Sequence, residues 1–273
     1  MPITGLSSST LKTRFFNILA GGNATDLENF LSQFTSAYDK LVLNSEIFSN
    51  PAVMDAVVNS PQLATVFNST TALNMFFASS VAITQLGRSY NGIQTLAQNA
   101  QAMRSAIQSQ ELLNLISRNP SFRQIFTSST AIPSKSVPTM TSNTTPEGQA
   151  LGSSIYSSSN DFYKAFDKNS TTLWEPATPN PSEWVGYMFS VPVFVHTLSY
   201  TNIENINLCV VQRSSDGTSW EDILTFSPAL RLATPVQLPL PLLVNYYKYY
   251  RILTVSTSGY PLIRELDFSG FTQ

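Results

Sequence analysis

The chain has 273 residues, of which 42% are hydrophobic and 12% charged, and its formal net charge is −2. So sparse and balanced a charge excludes a basic nucleic-acid surface and a strongly acidic partner surface. The lone cysteine, Cys209, excludes an internal disulfide and a Cys cluster for zinc, and no stretch approaches the ~20 apolar residues of a membrane span.

Few charges with abundant Ser, Thr and Asn point to a surface outside a cell or on a virus particle. Met1 to Asn23 lacks the basic-then-apolar order of a conventional signal peptide. Apolar residues recur at helical spacing from Thr25 to Leu43, at Leu27, Phe30, Leu31, Phe34, Tyr38 and Leu41. This predicts one helix there, with Thr25 and Glu28 as a capping box. Windows starting at Asn50, Asn59 and Asn68 then carry apolar triplets nine residues apart: Met54, Val57, Val58; Leu63, Val66, Phe67; Ala72, Met75, Phe76. In one unbroken helix nine residues make ~2.5 turns, so the triplets would face opposite sides, and Pro61 would break the interior. Short helices fit instead, capped by Asn50 or Ser60 with Pro51 and Pro61 at their first positions. A second helical pattern runs over 94–116, with Leu96, Met103, Ile107, Leu112 and Ile116 on its buried side. Residues 119–126 repeat the Asn-Pro-punctuated unit. Isolated pieces this short are marginal in water, so neighbours, a partner or an oligomer must stabilise them.

The expected domain plan is a helical assembly or docking region over 1–127, a Ser/Thr/Pro-rich linker over 128–150, and a β domain over 151–273. Within the last, 165–174 crowds oxygens between two aromatics: Asp167, Asn169 and Thr172, flanked by Phe166 and Trp174. Such a loop supplies much of the oxygen shell of a calcium ion. The metal-free alternative is an Asx turn in which these side chains satisfy backbone groups. After Trp184 the period shifts toward two. Strands are predicted around Val193 to Tyr200, Ile206 to Arg213, Trp220 to Phe226, Tyr247 to Val255 and Leu262 to Phe268, with Asp216-Gly217 as a turn. Short strands with no helix between them argue for an antiparallel sandwich or jelly roll.

The run from Ala165 to Trp174, Val210 to Trp220 with its Gln212 and Asp216-Gly217, Tyr249-Tyr250-Arg251-Ile252, and Glu265 ahead of Gly270 together resemble the discoidin, or coagulation-factor type C, family of galactose-binding-like domains. That resemblance implies a β jelly roll, and a structural calcium held by Asp167, Asn169, Thr172 and the late Glu265. Lys168 stands where the family pattern has Gly, the residue suited to left-handed backbone. The short-helix units are more loosely similar to repeats in bacteriophage tail-associated proteins. The fold expected is therefore α+β and multidomain, with short-helix repeats followed by an antiparallel β jelly roll.

No enzymatic constellation is legible. His196 is the one histidine and lies in a strand-like run, no Gly-x-Ser-x-Gly elbow occurs, and no carboxylate pair is marked by spacing. A sugar site needs an exposed aromatic face ringed by a few polar groups, and local chemistry selects Tyr200 with Asn202, and Tyr260. The function expected is non-enzymatic: a bacteriophage virion protein of the tail, baseplate or fibre that contacts other virion proteins or its own copies and presents a glycan-binding domain. The rivals are a secreted bacterial lectin or adhesin, and the targeting module of a glycan-active enzyme.

Overall fold

The computed structural model describes residues 7–229 and 234–273. The chain divides into two compact units, Met1–Ile132 with Leu242–Val244, and Pro133–Pro241 with Asn245–Gln273. Among the described residues no helix is long and apolar enough to cross a membrane.

The first unit is all helix: α1 (Ser8–Ala20), α2 (Ala24–Leu31), α3 (Ala37–Leu43) running into a π turn at Asn44–Phe48, α4 (Pro51–Val58), α5 (Leu63–Asn68), α6 (Thr70–Phe77), α7 (Ser80–Leu86), α8 (Tyr90–Ala97), α9 (Ala100–Ile107), α10 (Gln110–Ser117) and α11 (Pro120–Thr127). The single helix expected over 25–43 is two, because the chain breaks after Leu31 and Ser36 caps anew by accepting from Asp39 N–H at 3.0 Å. Tyr38 and Leu41 consequently leave the apolar face, at 66% and 65% exposure. The capping box is also absent. Asn23 caps α2, and Glu28 reaches α6 instead, accepting from the Ser69 and Thr71 hydroxyls and from Thr71 N–H at 3.1 Å.

The helix expected over 94–116 is likewise three short ones, since the repeat continues through it. Its period is ten. Ser69, Ser79, Ser89, Asn99, Ser109 and Asn119 each cap a helix with a side-chain oxygen. Two turns of helix, one C-cap and the next N-cap fill each decad. Buried positions fall three, four and seven after the cap, as at Ala72, Leu73, Phe76 and at Ala102, Met103, Ala106. Leu73 thus takes the buried place expected of Met75. The spacing of nine fits only 50–68, where α5 starts at Leu63 without a side-chain cap.

From α4 onward each helix packs beside the third one after it: α4 on α7, α5 on α8, α6 on α9, α7 on α10, α8 on α11. The unit is a solenoid with three short helices per coil. Two caps also tie coil to coil, since Ser79 Oγ donates to Phe48 O (2.6 Å) and Ser89 Oγ to Val58 O (3.2 Å), and Ser129, ten residues past the last cap, does the same to Ala97 O (2.6 Å). A hydroxyl can accept from its own helix and donate to the previous coil. One residue type therefore satisfies two sets of orphan helix-end groups.

The second unit is antiparallel: β1 (Ser134–Ser136), β2 (Gln149–Gly152), β3 (Trp184–Ser214), β4 (Glu221–Phe226), β5 (Val236–Pro239) and β6 (Tyr247–Thr272). The two long strands serve both layers of a jelly roll. In one layer β2, the start of β3, the start of β6, the end of β3 and β4 lie side by side. The other layer has β1, the end of β6, the middle of β3 and β5. Val185, Tyr187, Tyr250, Ile252 and Val211 of the first layer meet Leu198, Tyr200, Leu266 and Phe268 of the second in one core. All five strands expected from sequence coincide with parts of β3, β4 and β6, with Trp220 alone falling just ahead of β4. The short β1, β2 and β5, too brief for a period, do not show in the sequence. Residues 128–150, expected as a linker, contain β1, which pairs with β6, and after it Val137 and Met140, which enter the core.

Candidate functional site

Phe166 and Trp174 are fully buried and anchor the 166–174 loop, Trp174 also exchanging backbone bonds with Ile263 (2.8 and 3.1 Å). Between them the side chains close on one another. Asp167 Oδ1 accepts from Asn169 N–H (3.1 Å), the Thr172 hydroxyl donates to the Asp167 carboxylate (2.8 Å), and Asn169 Oδ1 accepts from Thr171 N–H (3.1 Å). Lys168 adopts φ 57°, so the left-handed turn survives replacement of Gly, steadied by its ammonium bond to Asp267 (2.9 Å).

Glu265 joins this loop by accepting from Lys168 N–H through Oε2 (3.1 Å), while its Oε1 is buried with no hydrogen-bond partner. Burial, and then the negative charge of Asp167, push the Glu265 carboxyl up to about 7. The four residues expected to hold calcium thus lie around one corner. Two carboxylates, one with an orphan oxygen, suit a hard cation, with Asn169, Thr172 and backbone carbonyls as further oxygen donors. The Asx bonds within the loop equally match the metal-free turn. Among the described residues no group of three or more His, Cys, Asp or Glu side chains is placed to hold a metal ion, at this corner or elsewhere.

The aromatic candidates part ways. Tyr200 is only 4% exposed, its ring against Phe226 and its hydroxyl accepting from Ala229 N–H (3.3 Å), so it has no face to offer a sugar. Selected by its local chemistry beside Asn202, it lies instead within β3, whose alternation points it into the core with Leu198. Asn202 has φ 45° and separates two buried residues, Tyr200 and Ile203, that are three apart. Its left-handed backbone lets β3 exchange faces as it changes layer. Tyr260 is exposed and does not stand alone. Its ring meets Tyr156 edge to face, centroids 5.9 Å apart, with exposures of 37% and 61%. Asn205, also left-handed, donates from Nδ2 to Tyr260 O (2.9 Å). Tyr156 N–H bonds Glu175 O (2.8 Å), and the neighbouring Ser154 receives the Trp174 indole N–H on its carbonyl (3.1 Å). Two rings are therefore held on ordered backbone. Tyr156 and Asn205 are not legible in the sequence, because only the fold brings them to Tyr260.

The remaining motif residues build the sheet's outer face. The Arg251 guanidinium lies 3.9 Å from the Trp220 ring centroid and 4.8 Å from that of Trp184, and Arg251 Nε donates to Gln212 Oε1 (2.7 Å). Asp216 accepts from Thr218 and Ser219 N–H (both 2.8 Å), which with Ser214 holds its carboxyl far below the usual range. These are structural roles. His196 is buried on β3 with its ring 4.9 Å from that of Phe271.

No protein-family model matches the chain, and no curated protein matches it. Solved structures similar in fold include three relevant ones. Chitosan-binding module 1 of a chitosanase/glucanase from Paenibacillus sp. IK-5 is 23% identical, with a TM-score of 0.38 over 44% of this chain and 93% of that one. An F5/8 type C domain from Bacteroides fragilis is 15% identical, with a TM-score of 0.40 over 46% and 93%. A CBM32 module from Clostridium perfringens, in complex with GalNAc-β-1,3-galactose, is 14% identical, with a TM-score of 0.39 over 44% and 94%. The likeness is to the discoidin-like class that the motifs resemble.

Proposed function

We propose that the β unit is a non-catalytic carbohydrate-binding module whose contact surface is the Tyr156–Tyr260 pair. The observation that carries this reading is an exposed, edge-to-face pair of rings, Tyr156 on the loop after β2 and Tyr260 on β6, beside the amide of Asn205. An aromatic face packs on the C–H side of a sugar ring, and nearby amide and carbonyl groups bond its hydroxyls. Titration of the full chain with chitotriose and with GalNAc-β-1,3-galactose, followed by calorimetry, tests it. Binding of either should fall at least about tenfold in Tyr156→Ala and in Tyr260→Ala, a hydrophobic and stacking loss of the usual size, while the melting temperature barely moves. Binding to neither sugar nor any member of a glycan array sinks the reading.

Calcium is part of the proposal as a brace rather than a reagent, held through Asp167 and Glu265 with Asn169 and Thr172 in support. Ser- and Asn-capped decads stacked as a solenoid support a further reading, in which the helical unit docks this module on a bacteriophage particle outside the cell. Immunogold labelling of intact particles tests it, and absence of the protein from them removes it.

A further inference from the structure

A cleft of about 340 Å³ opens in the helical unit between α1 and α4, lined by Phe16, Asn17 and Ala20 on one side and by Ala56, Ser60 and Gln62 on the other. From α4 onward the helices stack regularly, but α1 packs mainly on α2 and on the π turn at Asn44–Phe48. The stacking is therefore irregular at this end, and a gap remains beside α4. The small side chains of Ala20 and Ala56 keep it open. Phe16 is 37% exposed while its neighbour Phe15 is fully buried, and the edge contact of the two rings, centroids 5.8 Å apart, steadies Phe16 at the cleft. The polar members are unspent. Gln62 stands at the N-cap of α5 without making a side-chain cap bond. Asn17 lies inside α1, a poor place for Asn on propensity, and among the described residues its amide bonds no other group. Ser60 Oγ donates to Val57 O (2.9 Å), which leaves its lone pairs free to accept. All three polar side chains are reached by solvent, and among the described residues no charged side chain lines the cleft.

We propose that this cleft binds one ring of a neutral sugar, its C–H face on Phe16 and its hydroxyls bonded by the Asn17 and Gln62 amides and by Ser60. Each amide brings two donors and an acceptor, and each sugar hydroxyl can both donate and accept, so the rim and the ligand satisfy one another. A wholly apolar occupant, such as the face of a partner helix, would instead cover three polar groups without pairing them. Neutrality follows from the lining, which offers a charged ligand nothing to offset its lost hydration. The volume is at the small end for ligand sites, room for one ring rather than a chain. The site lies wholly in the helical unit and uses neither Tyr156 nor Tyr260, so it stands apart from the glycan surface proposed above and its test is separate.

The full chain is titrated with methyl β-glucoside, methyl β-galactoside, cyclohexanol and N-acetyl-phenylalanine methylamide, followed by ¹H–¹⁵N NMR. At least one of the two glycosides is expected to shift the Asn17, Ala20, Ala56 and Gln62 amides, with cyclohexanol and the peptide probe binding more weakly. Phe16→Ala should weaken that glycoside about tenfold, and Phe16→Tyr, which keeps the ring, should retain it. Asn17→Leu and Gln62→Leu keep the size of the side chain and remove its amide. Each should weaken binding about fivefold, the loss of one hydrogen bond, and they carry the test should Phe16→Ala fail to fold. The double variant Tyr156→Ala with Tyr260→Ala should leave these shifts unchanged. No response at the four amides to either glycoside, wild-type affinity in both leucine variants, loss of the shifts in the double tyrosine variant, or cyclohexanol or the peptide probe binding as tightly as the glycoside would each overturn the assignment. The last would make the cleft a plain apolar groove.

Discussion

Several residues act here through backbone geometry more than through their side chains. Lys168, Asn202 and Asn205 all take left-handed φ, of 57°, 45° and 61°. The two asparagines sit where β3 passes between layers, a conformation that Asn tolerates better than most residues. Gly270 is demanded by packing: a Cβ there would run into the Phe194 carbonyl on the paired strand. Gly270→Ala should lower stability by about 1–3 kcal/mol, since backbone rather than a flexible side chain must yield, and chemical unfolding measures it. Tyr200 shows the limit of residue-level reading. It has the composition of a ligand contact and the position of a core residue, and strand alternation alone does not say which face is inside.

The decad helices are too short to be stable alone, and their caps carry a disproportionate share of the order. Ser79 accepts from Ala82 N–H (3.3 Å) and donates to Phe48 O in the preceding coil (2.6 Å). Ser79→Ala should cost about 1–2 kcal/mol in urea unfolding, more than a cap on an isolated helix because the Phe48 carbonyl is also left unpaired. The adjacent, exposed Ser80→Ala should change stability by less than about 0.5 kcal/mol. Glu28 gives the helices a pH dependence. Burial alone would raise its carboxyl, but bonds from Ser69, Thr71 and the Thr71 N–H outweigh burial and hold it below the ordinary value. A depressed carboxyl stabilises the fold above its unfolded value of 4.5, and that contribution disappears as pH falls below it. Thermal melts from pH 6 down to pH 3 should therefore show a smaller drop in Glu28→Gln than in wild type. An identical drop would mean that the α2–α6 staple does not titrate.

At the scale of the whole molecule there are two hydrophobic cores, one per unit, and each unit supports its own set of elements. Two unfolding transitions are expected in calorimetry. Calcium at about 100 times its dissociation constant should raise the stability of the β unit by about 2.7 kcal/mol and leave the helical transition in place. Asp167→Ala with Glu265→Gln should erase that response. No calcium shift in wild type would leave the loop as the self-bonded Asx turn that its geometry also describes.

Local chemistry made the motif loop legible in sequence: Asp167, Asn169 and Thr172 lie within a few positions of one another, so their bonds need no distant partner. The β period and the Asn-Pro starts were legible for the same reason. The decad was harder to read. Ser, Asn and Gly are ordinary at helix ends, and the true repeat emerges only when Ser79, Ser89 and Ser129 are seen bonded to the coil before. Sequence alone determined where helices give way to strands and which loop concentrates oxygen, because both depend on neighbours along the chain. Only the tertiary structure decided that Tyr200 is core, that Tyr156 joins Tyr260, and that Phe16 and Gln62 share one cleft. Each of those outcomes depends on which segments pack together, and a side chain's solvent or partner is fixed by that packing rather than by its own position in the chain.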